Sequence, residues 1–243
     1  KILFDVGASE LFLDNAKKLN VDICDVDYLI ISHGHYDHGG GLEAFLRENT
    51  KAEVFLNRLA FGGFYAVRSN DELEYIGLDA GLKENSQIVP TADRFFITTG
   101  VQVFSNITKK EPAPKSNNSL FMVHNGQIVP DTFAHEQNLI IEEDGKTILV
   151  TGCAHNGIVN ILEHFHDIKG RMPNYVIGGF HLSSPNTEST ESPEMIDEIS
   201  RYLMDTNATF FTCHCTGIKP YNRLKAAMGD RIDYLSAGRA MAI

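Results

Sequence analysis

Residues 27–41 read DYLIISHGHYDHGGG: an apolar run, then three histidines and one aspartate within six residues, then three glycines. The run Asp27–Ile31 is typical of a buried strand, and the glycines predict the start of a helix that reaches about Arg47. Imidazole and carboxylate groups suit zinc, manganese or iron, and a turn after a strand lets close side chains converge on one point. This stretch therefore predicts a metal site at the end of a strand.

Four ligands within one turn are too many for a single tetrahedral ion that must keep an open position. They suit a two-metal site, divided into one pair of histidines and one Asp-His pair. The alternative is a solvated histidine-rich loop that binds nothing.

The motif His33–His38 resembles the His-x-His-x-Asp-His signature of the metallo-β-lactamase superfamily. Asp5, at the end of the first predicted strand, looks like the early aspartate that supports the metal loop by hydrogen bonding. Three further segments resemble one subgroup of that superfamily. They are TGCAHNGIVNI from Thr151, GGFHL from Gly178 and HCTG from His214. This subgroup is similar to archaeal 7,8-dihydropterin-6-methyl-4-(β-D-ribofuranosyl)-aminobenzene-5′-phosphate synthases and their uncharacterised bacterial relatives.

The resemblance covers nearly the whole chain and implies one α/β domain over residues 1–243, a four-layer αββα sandwich of the metallo-β-lactamase type. In the second half, Asp144-Gly145 predicts a hairpin turn, and Ser192 and Pro193 predict the cap and first turn of a helix. The alternating strands and helices of this half agree with two sheets that have helices outside. Residues 58–118 look irregular, apart from strand-like pieces near Arg94–Thr98 and Val101–Phe104, and are expected to form an insertion that covers the substrate. The superfamily fold normally begins with a hairpin before the Asp5 strand, and whether residues preceding Lys1 supply it is left open.

The resemblance also implies the metal ligands. His33 and His35 are expected to hold the first ion, and Asp37 and His38 the second. A later histidine is expected to complete each site. The residues chosen are His155 for the first ion and His214 for the second. The implied cofactors are two divalent ions, with zinc expected first and manganese, iron or magnesium as alternatives.

Cys153 departs from the superfamily pattern, because it stands where a bridging aspartate is usual. It is either a thiolate ligand or a small buried residue. His181 ends a glycine-rich strand and either completes a metal site or contacts the substrate. Cys213 and Cys215 flank His214; in a strand both would point away from the side of His214, which favours packing over ligation for these two residues.

His135 precedes a predicted hairpin and is considered both as a ligand and as an exposed loop residue. The adjacent Glu136-Gln137 pair resembles a Glu-Gln pair that recurs in the subgroup. The remaining histidines away from these segments are interpreted as surface residues.

The implied reaction is hydrolysis of an ester, thioester, amide or phosphoester by a metal-bound hydroxide. Asp37 is expected to orient the nucleophile, and His181 to donate a proton or stabilise negative charge. The alternative is a non-hydrolytic pterin-phosphate synthase, a transferase, on the same dinuclear site. A di-iron redox protein is disfavoured, because such relatives carry glutamate where this chain has His35.

Composition limits the partners. The formal net charge of −11 argues against nucleic acid or an anionic membrane as a partner, but leaves room for a small, phosphorylated substrate. Four cysteines in 243 residues do not indicate a disulfide framework, so a reducing cytoplasm is expected. The sequence does not give the oligomeric state.

Overall fold

The structure is a computed structural model that describes residues 1–68, 70–184 and 189–243. Ser69, within the predicted insertion, and residues 185–188 lie outside that description. No helix among the described residues is long and apolar enough to cross a membrane.

The helices are α1 Leu11–Lys18, α2 Tyr36–Gly39, α3 Leu42–Glu48, α4 Ile158–Lys169, α5 Pro193–Asp205 and α6 Ile218–Met228. The first strands are β1 Ile2–Phe4, β2 Tyr28–Ile30, β3 Glu53–Asn57, β4 Phe64–Val67, β5 Leu73–Tyr75, β6 Ile88–Thr91, β7 Arg94–Thr98 and β8 Val101–Phe104. The later strands are β9 Leu120–His124, β10 Gln127–Pro130, β11 Asn138–Glu143, β12 Lys146–Val150, β13 Tyr175–Gly178, β14 Ser183–Ser184, β15 Ser189–Thr190, β16 Thr209–Thr212 and β17 Ile232–Tyr234.

The chain divides into two compact units. The first comprises Lys1–Phe95, Val103–Asn106 and Ser119–Gln137, and the second comprises Phe96–Gln102, Ile107–Asn118 and Asn138–Ile243. Each is described by itself, and the expectation of one domain over residues 1–243 stays a prediction.

The first unit contains a parallel sheet with strand order β1-β2-β3-β6. Its central strands are apolar on both faces, with Leu29, Ile30 and Val54 fully buried, as is typical of parallel strands covered on both sides. Because these strands are parallel, the residues that follow β1, β2, β3 and β6 lie at the same edge of the sheet. A second sheet, β10-β9-β4-β5, is antiparallel.

A seven-stranded sheet has the order β17-β16-β13-β12-β11-β8-β7, and its strands β11, β12, β13, β16 and β17 lie wholly in the second unit. The neighbours β12, β13, β16 and β17 are parallel. Strands β11 and β12 form the predicted hairpin, and both turn residues, Asp144 and Gly145, have positive φ angles, 50° and 75°.

The helices of the second unit end and begin where their sequences indicate. Ser192 caps α5 by accepting a hydrogen bond from the Met195 amide, and Pro193 occupies the first turn, as predicted. Helix α4 ends at Gly170, which adopts the left-handed conformation common after a helix.

The segment 58–118 contains β4 to β8. Strands β7 and β8 coincide with the two strand-like pieces expected from the sequence, whereas β4, β5 and β6 were not expected. These strands have three to five residues each, and β5 (LEY) is exposed at every position. Strands so short and so exposed leave little alternation of apolar and polar residues to detect. Whether the segment covers a substrate stays a prediction.

Candidate metal centre

The predicted metal loop, which carries the motif His33–His38, follows β2 in the first unit. Residue His35 precedes helix α2, so the motif runs directly from a strand into a helical turn. One ligand atom from each of His33, His35 and Asp37 lies within 4.8 Å of the others. Gly34 lets the loop pack closely against the backbone of Ala60, because a Cβ there would lie 2.3 Å from the carbonyl oxygen of Ala60. The tertiary structure thus gathers three of the predicted ligands.

Asp5 anchors this loop from the end of β1. Its carboxylate accepts hydrogen bonds from the backbone amide and the hydroxyl of Ser32, at 2.7 and 2.8 Å. It also accepts a bond from Nδ1 of His38, at 2.6 Å. These three contacts agree with the prediction that Asp5 supports the metal loop.

The same network determines which nitrogen of each imidazole keeps a lone pair. His38 donates from Nδ1 to Asp5, which leaves the lone pair on Nε2, 3.7 Å from the Asp37 carboxylate. The hydroxyl proton of Ser32 goes to Asp5, so Nδ1 of His33, 2.8 Å away, donates to that oxygen. A metal-binding histidine characteristically donates its second N–H in this way.

His35 is buried, and burial lowers its pKa from 6.5 to about 4. Its imidazole is therefore neutral near pH 7, as a ligand must be. The side chain of Asp37 is 39% exposed, so its carboxylate meets solvent at the opening of the loop. The residues of this loop fit a divalent ion.

His135 clamps the loop by two hydrogen bonds that disfavour a ligand role, although one ligand atom from each of His35, Asp131 and His135 lies within 4.8 Å of the others. Its Nδ1 accepts a hydrogen bond from the Gly34 amide at 2.9 Å, and its Nε2 donates to Asp131 at 3.1 Å. Neither nitrogen retains a lone pair for an ion. His135 is also 1% exposed, so the alternative of an exposed loop residue is wrong. Burial raises the pKa of Asp131, but bonds from His135 and His35 outweigh that effect and hold it below its ordinary value.

Gln137 is a second support that motif spacing did not identify. Its side-chain amide donates to the carbonyl oxygens of Ile31 and Phe55, at 2.8 and 3.0 Å, and its backbone amide donates to Ser32. Its side-chain oxygen accepts from the Thr91 hydroxyl at 2.6 Å. One fully buried side chain thereby joins the ends of β2, β3 and β6. The adjacent Glu136-Gln137 pair in the subgroup pattern was the only available signal.

In the second unit, the remaining predicted residues follow three parallel strands. His155 follows β12, His181 follows β13 and His214 follows β16. Asn117 holds His155 twice: its amide nitrogen donates to the His155 carbonyl at 2.7 Å, and its side-chain oxygen accepts from His155 Nδ1 at 2.9 Å. The lone pair of His155 therefore lies on Nε2, as in a ligand. No sequence signal identified Asn117.

Cys153 and His181 belong to a cluster with Cys215, whose ligand atoms all lie within 4.8 Å of one another. Strand β16 ends at Thr212 and a short 3-10 turn follows, so the alternation of side chains along a strand does not apply to Cys213 and Cys215. Burial by itself raises the pKa of Cys215. Contacts with Cys153 and His181 lower that pKa by more, so the net result lies well below the usual thiol value. Thiolate and imidazole form a donor set that suits zinc.

The backbone is strained at these positions. Eleven described residues other than glycine have positive φ, and all but four are Asn or Asp. The four are Phe133, Ala154, His181 and His214. Each of the four is a candidate site residue or lies within two residues of one, and backbone strain of this kind concentrates at functional sites.

The structure thus brings together His33, His35 and Asp37 in the first unit, with His38 beside them. In the second unit it brings His155 and His181 together, with ring centroids 4.2 Å apart, and places Cys153 beside His181. His214 is exposed. The assignment of His155 and His214 to particular ions, and the catalytic roles of Asp37 and His181, stay predictions.

Comparison with known proteins gives matches along the chain. Residues 1–185 match the family model of the metallo-β-lactamase superfamily. A 7,8-dihydropterin-6-methyl-4-(β-D-ribofuranosyl)-aminobenzene-5′-phosphate synthase of Methanocaldococcus jannaschii is 30% identical over 98% of this chain and 83% of its own length. An uncharacterised protein of the same archaeon is 29% identical over 92% of this chain and 82% of its own.

Two solved structures are also similar. Tm1679, a metal-dependent hydrolase of the β-lactamase superfamily, superposes with a TM-score of 0.83 at 28% identity, over 100% of this chain and 88% of its own. An isothiocyanate hydrolase from Delia radicum gut bacteria superposes with a TM-score of 0.52 at 18% identity, over 90% of this chain and 77% of its own. The second likeness concerns the fold alone.

Proposed function

The chain belongs to the metallo-β-lactamase superfamily, and on that premise we propose that it hydrolyses a small-molecule ester, thioester or phosphoester with the help of two divalent ions. The α/β metallo-β-lactamase fold expected from the sequence is confirmed. The chain is a metalloenzyme of this fold, either a hydrolase or a synthase. Zinc is the ion expected first.

The observation that carries the proposal is the convergence of ligand atoms from His33, His35 and Asp37 within 4.8 Å. The supporting network around this cluster presents Nε2 lone pairs on His33 and His38. A buried carboxylate that fixes the tautomer of a histidine is characteristic of metal centres. Tm1679, similar over the whole of this chain, is itself a metal-dependent hydrolase.

A divalent ion, when bound, polarises a substrate oxygen and lowers the pKa of water toward neutrality. The chain itself supplies orientation. The partly exposed Asp37 carboxylate accepts a hydrogen bond from the attacking water and so directs it at the substrate. Asp5, Ser32 and His135 take no direct part in the reaction, because their hydrogen bonds only hold the loop in place. His181 is expected to act on a proton or on developing charge.

The synthase of Methanocaldococcus jannaschii supports a second candidate, a transferase that makes the pterin compound in that enzyme's name. Its identity of 30% over 98% of this chain is slightly higher than that of Tm1679. On either reading the substrate is expected to be a small molecule, which in the second case is phosphorylated. A cytoplasmic location also stays a prediction.

The test is elemental analysis of the purified protein followed by assay of the same samples. We expect two equivalents of metal per chain, and hydrolysis of at least one compound in a panel of esters, thioesters and phosphoesters. His33→Gln and Asp37→Asn should each abolish that activity. His124→Gln is the matched control, because His124 is an exposed histidine in β9.

Each outcome separates the candidates. Metal-dependent formation of the pterin compound without hydrolysis of the panel would replace the hydrolase proposal with the synthase. Full activity in Asp37→Asn would remove Asp37 from the mechanism. A single equivalent of metal that added zinc or manganese does not raise would refute the two-ion centre.

A further inference from the structure

The second unit contains a cavity of about 290 Å³ that the proposed reaction does not use. It lies among the loop 111–115, the start of α4, and α5. Its walls are mainly apolar, with side chains from Pro112, Ile158, Phe180, Leu182, Met195 and Ile199. A concave, largely apolar cavity of this volume is typical of sites for small molecules.

The loop that forms one wall is held in place. Asn160, a fully buried residue of α4, accepts hydrogen bonds from the backbone amides of Lys110 and Glu111, at 2.9 and 2.8 Å. Its amide nitrogen donates to the Glu111 carbonyl at 2.9 Å. The wall is therefore a fixed part of the second unit.

Glu191 gives the cavity its polar feature. The residue lines the cavity yet is only 5% exposed. One carboxylate oxygen accepts a hydrogen bond from the backbone amide of Lys115. The other, Oε2, is buried and has no hydrogen-bond partner in residues 1–68, 70–184 or 189–243.

A buried carboxylate oxygen without a partner is costly, so its presence calls for a group that satisfies it. Two further carboxylates, Glu111 and Glu198, line the cavity at exposed positions, and Lys115 is the one cation among the described lining residues. Three carboxylates against one amine favour a ligand with positive charge. The apolar walls favour a delocalised cation, which is less strongly hydrated than an ammonium ion.

We propose that this cavity binds a small aromatic molecule that carries an amidine-type cation, with its N–H edge on the Glu191 carboxylate and its ring against the apolar walls. The inference does not depend on the metal centre, because every residue it uses lies in the cavity of the second unit. It assigns a second binding site to the protein, for a ligand class distinct from the esters of the proposed reaction.

The test uses benzamidine and its neutral isostere benzamide, titrated calorimetrically against the full chain. We expect benzamidine to bind about tenfold or more tightly than benzamide, because only the amidinium makes a charge-assisted bond to the carboxylate. Glu191→Gln keeps an oxygen for the Lys115 amide, and should reduce the affinity for benzamidine to about that for benzamide.

Glu198→Gln is the matched control, since it removes an exposed carboxylate of the same cavity and should change the affinity less than about threefold. Ile199→Phe fills the cavity without changing charge and should weaken binding of both probes. Equal affinities for the two probes, no binding by the wild type, or unchanged benzamidine affinity in a folded Glu191→Gln variant would overturn the proposal. No binding would mean that water alone satisfies Glu191.

Discussion

Oδ2 of Asp5 lies 2.6 Å from Nδ1 of His38, although 33 residues separate them in the chain. The two meet because β1 and β2 are parallel neighbours whose ends lie at the same edge of the sheet. This carboxylate orients the imidazole and, through Ser32, the neighbouring His33. The metal loop is thus positioned from outside its own sequence.

Asp5→Asn should therefore weaken metal binding without removing a ligand. An amide in place of the carboxylate no longer fixes the tautomer of His38, and loss of such a support typically lowers metal affinity about 10–100-fold. Competition with a chromophoric chelator measures the change. Asp27→Asn is the control, since Asp27 is an exposed aspartate that pairs with Lys51. Equal affinities in the two variants would contradict the role of Asp5.

His135→Gln should leave the number of bound ions unchanged, because both ring nitrogens of His135 are already engaged by Gly34 and Asp131. His33→Gln should reduce that number. Elemental analysis of both variants, prepared together, distinguishes a clamp from a ligand. Loss of metal from His135→Gln, with its fold intact, would return His135 to the ligand set.

Gln137→Leu should lower the free energy of unfolding by about 1–3 kcal/mol or more, since it leaves the carbonyl groups of Ile31 and Phe55 without their buried donor. Urea denaturation monitored by circular dichroism measures this change. Gln127→Leu, at an exposed position of β10, should change stability by less than about 0.5 kcal/mol. A similar small effect at both positions would show that Gln137 is not a structural support.

Gly179→Ala should destabilise the protein by about 1–3 kcal/mol, because a Cβ at this position would lie 2.6 Å from the sulfur of Cys215 and 3.1 Å from the Gly152 carbonyl oxygen. Gly81→Ala is the comparison. Its Cβ would meet only the carboxylate of Asp79, an exposed side chain, at 3.2 Å. Thermal denaturation of the two variants tests the difference, and equal midpoints would refute the close packing around Gly179.

Asn117→Ala should reduce activity more than stability, because Asn117 holds the ring and the backbone of His155 while lying in a half-buried turn. If His155 is a ligand as predicted, metal affinity falls by about tenfold or more. Asn118→Ala, the adjacent exposed residue, serves as control. Unchanged metal affinity in Asn117→Ala would argue against His155 as a ligand.

The sequence alone determined the features that depend on residues close to one another along the chain. The apolar run before His33 predicted β2, and the motif's spacing predicted ligands that converge, because a six-residue turn brings such side chains together whatever surrounds it. The hairpin at Asp144-Gly145 and the Ser192 cap were predicted for the same reason. The short strands β4 and β5 escaped prediction, since so few residues carry no clear period.

Only the tertiary structure decided which residues support the loop and which line the cavity. Gln137 reaches the carbonyl of Ile31 across 106 residues, and Lys115 donates to Glu191 across 76. Sequence spacing carries no information on such pairs, because they meet only when parallel strands and packed loops bring distant segments to one place. Local chemistry therefore specified the candidate metal ligands, and long-range packing specified their orientation and the buried carboxylate of Glu191.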